Sequence, residues 1–251
     1  MMIFKTENVN FAYRSTPVLE DISFNVEPGE VVTLLGPNGV GKTTLLKCLN
    51  KVLIPQSGSV FVENSELNTL SRRETAQRIG YVPQRGDVSR MTIFDAVLLG
   101  RKPHIEWDAS EKDMRLTSRV LKLMDLEDMS LKYVDEISGG EYQLVQIARA
   151  LVQQPRVILM DEPTSNLDIS NQHMIMNTVR KIVKSNDMAV IMTIHDLNLA
   201  VRYSDKFVMM HDGMVHAAGG REILTPLNIK SVYHINAYIE NVNGIPVVIP
   251  I

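Results

Sequence analysis

Apolar residues recur at every second position in the first part of the chain. Residues 9–13 and 22–26 follow this alternation, which predicts half-buried β-strands. A turn at 28–29 then precedes Val31–Leu35, a largely apolar run that indicates a buried strand. Residues 3–35 are therefore predicted to be β structure.

A further strand is predicted over 58–62, followed by a helix that begins with the capping box Ser71–Glu74 and a strand over 78–84. From Thr92 the apolar positions recur with a period of about 3.6, which is typical of amphipathic helices.

Helices are predicted to begin at Thr92, Ser110 and Ser138, with a linker over 101–108. Residues 88–155 thus form a predicted helical insert between two β-rich parts of the chain.

Strands and helices alternate after this insert. Val157–Met160 and Ala189–Ile194 are apolar runs typical of buried strands, and a helix is predicted between them over Ile169–Ser185. Such alternation predicts a mostly parallel sheet with a functional site at the carboxyl ends of its strands. The remaining predicted elements are a hairpin over 206–215, a short helix over 222–233 and a hairpin that turns at 243–244.

Composition narrows the function classes. The chain has 251 residues, 45% of them hydrophobic, and a net charge of −3, so it can bury a core and shows no basic excess for nucleic acid. Its single cysteine, Cys48, excludes an internal disulfide and is predicted to be a buried apolar residue. We find neither a secretory signal nor an apolar run near the roughly 18 residues of a membrane span, and we expect a soluble cytosolic chain.

The most informative stretch is Gly36–Thr43, which has the spacing G-x-x-x-x-G-K-S/T between a strand and a helix. Glycines let several backbone N–H groups converge on one phosphate, and a helix N-terminus adds positive potential there. The Lys42 amine can reach the β- and γ-phosphates, and the Thr43 hydroxyl can bind Mg2+.

Acidic and imidazole side chains follow two of the predicted buried strands. Asp161 and Glu162 end one strand and His195 ends the next. Beside a phosphate loop, Asp161 can help to hold Mg2+, Glu162 can polarise the attacking water, and His195 can hydrogen-bond the γ-phosphate.

A second anion site is predicted at Ser138–Glu141, where a serine and two glycines open a helix. A site on the helical insert is expected to lie too far from the phosphate loop of the same chain to share its nucleotide. A symmetric dimer resolves the difficulty, because each nucleotide then lies between the loop of one copy and the glycine pair of the other.

Together these motifs resemble the nucleotide-binding domain of ATP-binding cassette (ABC) transporters, over nearly the whole chain. Gly36–Thr43 resembles Walker A, Val157–Glu162 resembles Walker B with its catalytic glutamate, and Ile137–Glu141 resembles the family signature. Gln84 matches the loop glutamine that senses Mg2+ and the membrane partner, and 165–168 matches the D-loop. His195 matches the switch histidine, and Tyr13 the aromatic residue that stacks on adenine.

The resemblance implies an α/β fold: a P-loop NTPase (RecA-like) core with a mostly parallel sheet, an N-terminal antiparallel β subdomain and an inserted α-helical subdomain. Residues 1–251 are expected to form a single domain, with the core in 1–87 and 156–251 and the helical signature subdomain in 88–155. The implied catalytic residues are Glu162, His195 and Gln84, and the implied Mg2+ residues are Thr43, Gln84 and Asp161. The implied nucleotide-binding residues are Tyr13, Gly36, Pro37, Asn38, Gly39, Val40, Gly41, Lys42, Thr43, Thr44, Ser138, Gly139, Gly140, Glu141 and Asp168.

Two of the motifs depart from their usual sequences. Ile137 and Glu141 replace the ends of the common signature L-S-G-G-Q, and Val40 replaces a small residue in Walker A. The backbone N–H of Val40 is unchanged, so phosphate contact should survive. Glu141 adds negative charge near the nucleotide, although activity is still expected.

Two other segments are similar to the ATPases of iron-chelate, haem and cobalamin importers. They are Met91–Pro103 and the tail from Leu224 to Pro250. The resemblance implies a transport-coupled, Mg2+-dependent ATPase that works as an ATP-sandwich homodimer under a multi-span permease dimer, at the cytoplasmic face of the membrane. An extracytoplasmic substrate-binding protein is implied as an indirect partner, and no nucleic acid is expected. The surface 86–101 is expected to receive the coupling helix of the permease. The alternative is a soluble ATPase of the same family that acts on a scaffold protein in iron–sulfur cluster assembly.

Overall fold

The chain forms two β-sheets joined by helices, together with a small C-terminal hairpin. A computed structural model describes residues 2–84, 86 and 90–251. The strands are β1 (Phe4–Tyr13), β2 (Thr16–Val26), β3 (Val31–Leu35), β4 (Ser57–Val62), β5 (Ser65–Glu66), β6 (Ile79–Val82), β7 (Val157–Met160), β8 (Ala189–Thr193), β9 (Lys206–His211), β10 (Met214–Gly219), β11 (Ala237–Val242) and β12 (Ile245–Pro250). The α-helices are α1 (Lys42–Leu49), α2 (Arg72–Arg78), α3 (Ile93–Leu98), α4 (Glu111–Leu123), α5 (Gly139–Val152), α6 (Ile169–Asn186), α7 (Leu197–Tyr203) and α8 (Pro226–Tyr233).

The central sheet has the strand order β10-β9-β3-β8-β7-β6. All neighbouring pairs are parallel except β9 and β10, which form the antiparallel hairpin predicted at 206–215. The carboxyl ends of β3, β6, β7 and β8 therefore lie along one edge of the sheet, where ligands bind in folds of this kind. The predicted mostly parallel sheet is confirmed.

Hydrophobic cores cover both faces of this sheet. Successive residues of β3 alternate between them: Val31 and Leu35 belong to one core, and Val32 and Leu34 belong to the other. The first core also holds buried residues of α5, α6 and α7, whereas the second holds those of α1 and of the N-terminal sheet. Burial on both faces explains why the strands are continuous apolar runs.

The N-terminal sheet is antiparallel, with the order β2-β1-β4-β5. It is built from the alternating segments at the start of the chain, and it confirms the antiparallel β region that was predicted there. Its buried residues pack on α1 and on one face of the central sheet, so this sheet holds the phosphate loop from one side.

The three predicted starts in the helical region are confirmed. Thr92, Ser110 and Ser138 are the N-caps of α3, α4 and α5, and each hydroxyl accepts the backbone N–H of the third residue that follows. Ser110 and Ser138 form full capping boxes, as Ser71 does for α2. Such contacts span one helical turn, which is why they could be predicted locally.

Two predicted elements were wrong in part. The helix expected over 222–233 is split: a 3-10 turn covers Arg221–Ile223, and α8 begins only at Pro226. Proline lacks a backbone N–H and fits only the first turn of a helix, so no helix can run through that position. The linker expected over 101–108 was placed one residue too early. Arg101 is the last residue of a 3-10 turn and is only 4% exposed, so the irregular segment begins at Lys102.

The division into a core and a helical subdomain remains a prediction, and its boundary at residues 87 and 88 lies outside the described residues. Within the described parts of the chain, no helix is long and apolar enough to cross a membrane.

Candidate active site

The loop between β3 and α1 requires glycine at two positions. Gly36 has φ +151°, and a Cβ there would lie 2.5 Å from the carbonyl oxygen of Met210. Gly41 has φ +103°, caps α1, and would place a Cβ 3.0 Å from the carbonyl oxygen of Val18. Only glycine accepts this conformation together with such close backbone contacts. The loop is therefore held between the two sheets at the N-terminus of α1.

The Lys42 side chain is folded into the loop. Its amine donates to the carbonyl oxygens of Gly36 and Pro37 over 2.7 and 2.9 Å, and the residue is only 6% exposed. Burial lowers the pKa of Lys42, and the carboxylates of Glu162 and Asp161 act in the opposite direction. A charged amine held at the loop in this way is suited to a phosphate oxygen.

Asp161 lies at the end of β7 beside the first residues of α1. Its Oδ1 accepts the Thr43 hydroxyl over 3.1 Å and the Thr193 hydroxyl over 2.9 Å, and the residue is buried. Two of the three predicted Mg2+ residues, Thr43 and Asp161, are thus in contact, whereas the third, Gln84, contacts Glu162. An alcohol and a carboxylate oxygen suit Mg2+, which takes oxygen ligands and keeps several waters. Among the described residues, no group of three or more His, Cys, Asp or Glu side chains is placed to hold a metal ion.

The Glu162 side chain contacts residues that follow two neighbouring strands. Its carboxylate contacts Nε2 of His195, at the end of β8, and Nε2 of Gln84, at the end of β6. Its backbone is left-handed, with φ +50°, and its N–H donates to the Thr193 hydroxyl over 2.8 Å. The structure therefore brings the three predicted catalytic side chains into direct contact.

These groups open onto one cleft of about 630 Å3, a size common for small-molecule sites. Tyr13 borders it with an exposed ring, which packs edge-on against Phe11 at a centroid distance of 4.9 Å. The residues that line the cleft are Tyr13, Val18, Asn38, Gly39, Gly41, Lys42, Thr43, Thr44, Gln84, Glu162 and His195. Pro37 and Val40 line an adjoining cleft, whereas Gly36 and Asp161 are buried. One surface thus joins the predicted adenine, phosphate and catalytic residues.

The signature residues Ser138–Glu141 and the D-loop residue Asp168 do not line this cleft. The Glu141 carboxylate accepts the Ser138 N–H over 2.8 Å, and the bonds from Ser138 lower the pKa of Glu141. The predicted negative charge near the signature is therefore already bound to the helix N-terminus. Asp168 caps α6 and binds both the backbone and the side-chain amide of Asn171.

Two functional candidates were missed in the sequence. Asn171 links the D-loop to the signature, because a Cβ on Gly140 would lie 2.8 Å from Asn171 Oδ1. Thr193 contacts both acidic residues of the site. The only signal for Thr193 is one hydroxyl in an apolar strand, two residues before His195.

Known proteins are similar in sequence to this chain. The ABC transporter family profile matches residues 19–165. An uncharacterised ABC transporter ATP-binding protein of Methanocaldococcus jannaschii is 55% identical over 251 residues, which is 100% of this chain and 99% of that protein. A probable siderophore transport system ATP-binding protein of Bacillus subtilis is 32% identical over 256 residues, covering 100% of this chain and 93% of the relative.

A solved structure has the same fold. It is described as an inward-facing conformation of a metal-chelate type ABC transporter, and it superposes with a TM-score of 0.86 at 27% identity, covering 100% of this chain and 97% of that one. Fold, site geometry and sequence agree: the chain belongs to the ABC transporter family, as one of its ATP-binding, ATP-hydrolysing subunits.

Proposed function

We propose that this chain powers the import of a metal chelate, of the iron–siderophore, haem or cobalamin type, through a separate membrane permease. It would act at the cytoplasmic face of the cell membrane. The contact of Glu162 with His195 and Gln84 beside the phosphate loop carries the ATP-hydrolysing part of the proposal. The siderophore relative and the metal-chelate type structure support the choice of cargo class.

Six side chains in and beside the cleft would have a part in hydrolysis. Glu162 would accept a proton from the water that attacks the γ-phosphate, while His195 and Gln84 hold its carboxylate through their Nε2 atoms. Lys42 would exchange its two carbonyl partners for phosphate oxygens. Thr43 and Asp161 would hold Mg2+, which supplies charge neutralisation on the phosphates.

The working unit we propose is a pair of copies that enclose two ATP molecules. Gly139 supports this view, because the structure of the single chain does not require a glycine at that position. It is exposed at the start of α5, and among the described residues a Cβ there would meet only Leu167 Cδ2, at 3.8 Å. We infer that the space above Gly139 is needed by the nucleotide of a second copy, for which the glycine pair supplies backbone N–H groups and Ser138 its hydroxyl at a helix N-terminus.

The permease would contact a groove beside Gln84. The groove has a volume of about 700 Å3 and carries the cations Arg72, Arg73, Lys102 and Arg149. It borders Pro83 and Gly86, and part of the surface 86–101 expected to receive a coupling helix lies in it, although residues 87–89 are outside the described residues. A coupling segment with acidic or carbonyl groups would fit this charge. The substrate-binding protein would act only through the permease.

The catalytic role is tested by Glu162→Gln, which keeps the shape of the side chain and removes the base. We expect the variant to bind ATP and to hydrolyse it at least about 100 times more slowly, which is the lower end of what a general base contributes. Glu66→Gln is the matched control, since Glu66 bonds Ser59 in the N-terminal sheet. Turnover within threefold of the unmodified protein would contradict the role of Glu162.

The pairing is tested by Gly139→Leu, an exposed substitution with room in the single copy. We expect the single variant to keep its thermal stability and its ATP binding and to lose hydrolysis. Combined with Glu162→Gln, the same substitution should abolish the ATP-dependent dimers that Glu162→Gln forms alone. Light scattering with ATP measures the dimer. A strictly monomeric, ATP-loaded Glu162→Gln protein would contradict the pairing itself.

The membrane partner is tested by purification from detergent-solubilised membranes. Recovery of a multi-span permease supports the transport proposal. Recovery of an iron–sulfur scaffold protein from the soluble fraction, with no permease, would favour the assembly type of ATPase instead.

A further inference from the structure

The side chain of Thr193 lies between the two acidic residues of the site. It is the last residue of β8, its side chain is fully buried, and it stands two positions before His195. We propose that Thr193 is a positioning residue for ATP hydrolysis, whose hydroxyl fixes the Asp161 carboxylate and the backbone of Glu162 at the same time. This inference rests on the catalytic role proposed for Glu162.

The two hydrogen bonds assign the direction of the hydroxyl proton. The Thr193 hydroxyl donates to Asp161 Oδ1 over 2.9 Å and accepts the Glu162 N–H over 2.8 Å. A carboxylate can only accept and an N–H can only donate, so the group that joins them must do both, as a hydroxyl does with one oxygen. Serine could replace threonine here, whereas valine, of nearly the same shape, could satisfy neither partner.

The bond to Glu162 acts on a left-handed residue. Glu162 has φ +50°, a conformation that L-residues with a side chain seldom adopt and that persists only where the surroundings hold it. The backbone N–H of Glu162 is held by Thr193, and its carboxylate is held by His195 and Gln84. Without the Thr193 hydroxyl, the Glu162 backbone can relax, and its carboxylate then leaves the place where water must be polarised.

The bond to Asp161 acts on the Mg2+ side of the site. Asp161 Oδ1 accepts two hydroxyl groups, one from Thr43 at 3.1 Å and one from Thr193 at 2.9 Å. Thr193 ends β8, the strand beside β7, while Thr43 is the first threonine of the phosphate-loop helix. The hydroxyl of Thr193 therefore orients the carboxylate whether or not Thr43 turns toward a ligand.

A second buried threonine provides a matched control. Thr33 lies in β3, next to β8 in the sheet, is fully buried, and pairs its hydroxyl with that of Ser204 over 2.6 Å. Thr33→Val also removes a buried hydroxyl and leaves its partner unpaired, but it touches neither acidic residue. The two variants should have similar effects on stability and different effects on turnover.

The experiment compares kcat, KM and ATP affinity of Thr193→Val, Thr193→Ser and Thr33→Val. We expect Thr193→Val to lower kcat by about 10- to 100-fold, with the Kd for ATP changed less than about threefold, as for loss of an interaction that acts on the transition state. Thr193→Ser should restore kcat to within about threefold. Thr33→Val should keep the kcat of the unmodified protein even where its Tm falls.

Three results would overturn the inference: a Thr193→Val protein with kcat near that of the unmodified chain, a Thr33→Val protein that loses as much, or a Thr193→Ser protein as slow as Thr193→Val. Should Thr193→Val fail to fold, Thr193→Cys keeps a similar volume and has only a weak hydrogen-bond donor. Its kcat should then be lower than that of Thr193→Ser, and an equal kcat would overturn the inference. An inactive Glu162→Gln beside an active Thr193→Val refutes only the inference. An active Glu162→Gln refutes the catalytic role on which it rests.

Discussion

Replacing Asp113 by asparagine should lower the free energy of unfolding by about 3 kcal/mol, because it breaks a buried ion pair on one side only. Arg101 Nε and Asp113 Oδ1 are 2.8 Å apart, and the two residues are 4% and 6% exposed. Arg101 Nη1 also donates to the Val152 carbonyl oxygen over 3.0 Å. The pair thus joins the start of α4 to the end of α5, and the substitution leaves a buried guanidinium without its counter-charge.

The pKa of Asp113 gives an independent magnitude. The hydroxyl of Ser110 and then the Arg101 guanidinium hold this pKa at about 2, against burial, which acts to raise it. Relative to an ordinary value of 3.8, this is roughly 2 kcal/mol of stability from the ionised form. Because the pKa is lowered in the folded state, this contribution is complete above about pH 4 and is lost as the pH falls toward 2.

Urea unfolding followed by circular dichroism measures the effect. The control is Glu111→Gln, which breaks the exposed pair of Glu111 and Arg115 on the same helix, at 3.0 Å, and should cost less than about 0.5 kcal/mol. The deficit of Asp113→Asn should be constant from pH 7 to 5 and should narrow below pH 4. A deficit no larger than that of Glu111→Gln, or one that grows on acidification, would refute the reasoning.

Three further predictions concern other parts of the chain. Asn198→Ala removes two hydrogen bonds to the backbone of Val248, at 2.8 and 3.2 Å. Amide hydrogen exchange in β11 and β12 should therefore become about tenfold faster or more, while exchange in β3 stays unchanged. An equal change of exchange rate in the hairpin and in β3 would contradict this role. Cys48 is fully buried and burial raises its pKa to about 12, so a thiol reagent should modify it only on unfolding, and rapid labelling of the folded chain would contradict its burial. Gly36→Ala should abolish ATP binding, measured by calorimetry, because its Cβ would lie 2.5 Å from the Met210 carbonyl oxygen; unchanged affinity would show that the loop does not need this conformation.

Local sequence determined the helix starts. Ser71, Ser110 and Ser138 each form a capping box with the residue three positions on, so every atom involved lies within one turn and the sequence is sufficient. The start predicted at residue 222 was wrong because another local rule was not applied: a proline belongs in the first turn of a helix, and Pro226 is the first residue of α8.

The candidate site was predictable wherever a residue ends a strand. Gln84, Glu162 and His195 follow β6, β7 and β8, and parallel strands bring their carboxyl ends to one edge of a sheet. Their direct contact through the Glu162 carboxylate could not be predicted, because it depends on the register of three strands and on the left-handed backbone of Glu162.

The sequence by itself determined the phosphate loop, the helix starts in the helical region and the positions of the buried strands along the chain, because each depends on neighbouring residues. Tertiary structure alone decided which buried polar groups meet: Thr193 with Asp161, 32 positions apart, and Arg101 with Asp113 and Val152, 12 and 51 positions apart. A hydroxyl or a guanidinium inside a core must find a partner wherever packing places one, and the identity of that partner depends on the sheet register and the helix packing, which no local pattern contains.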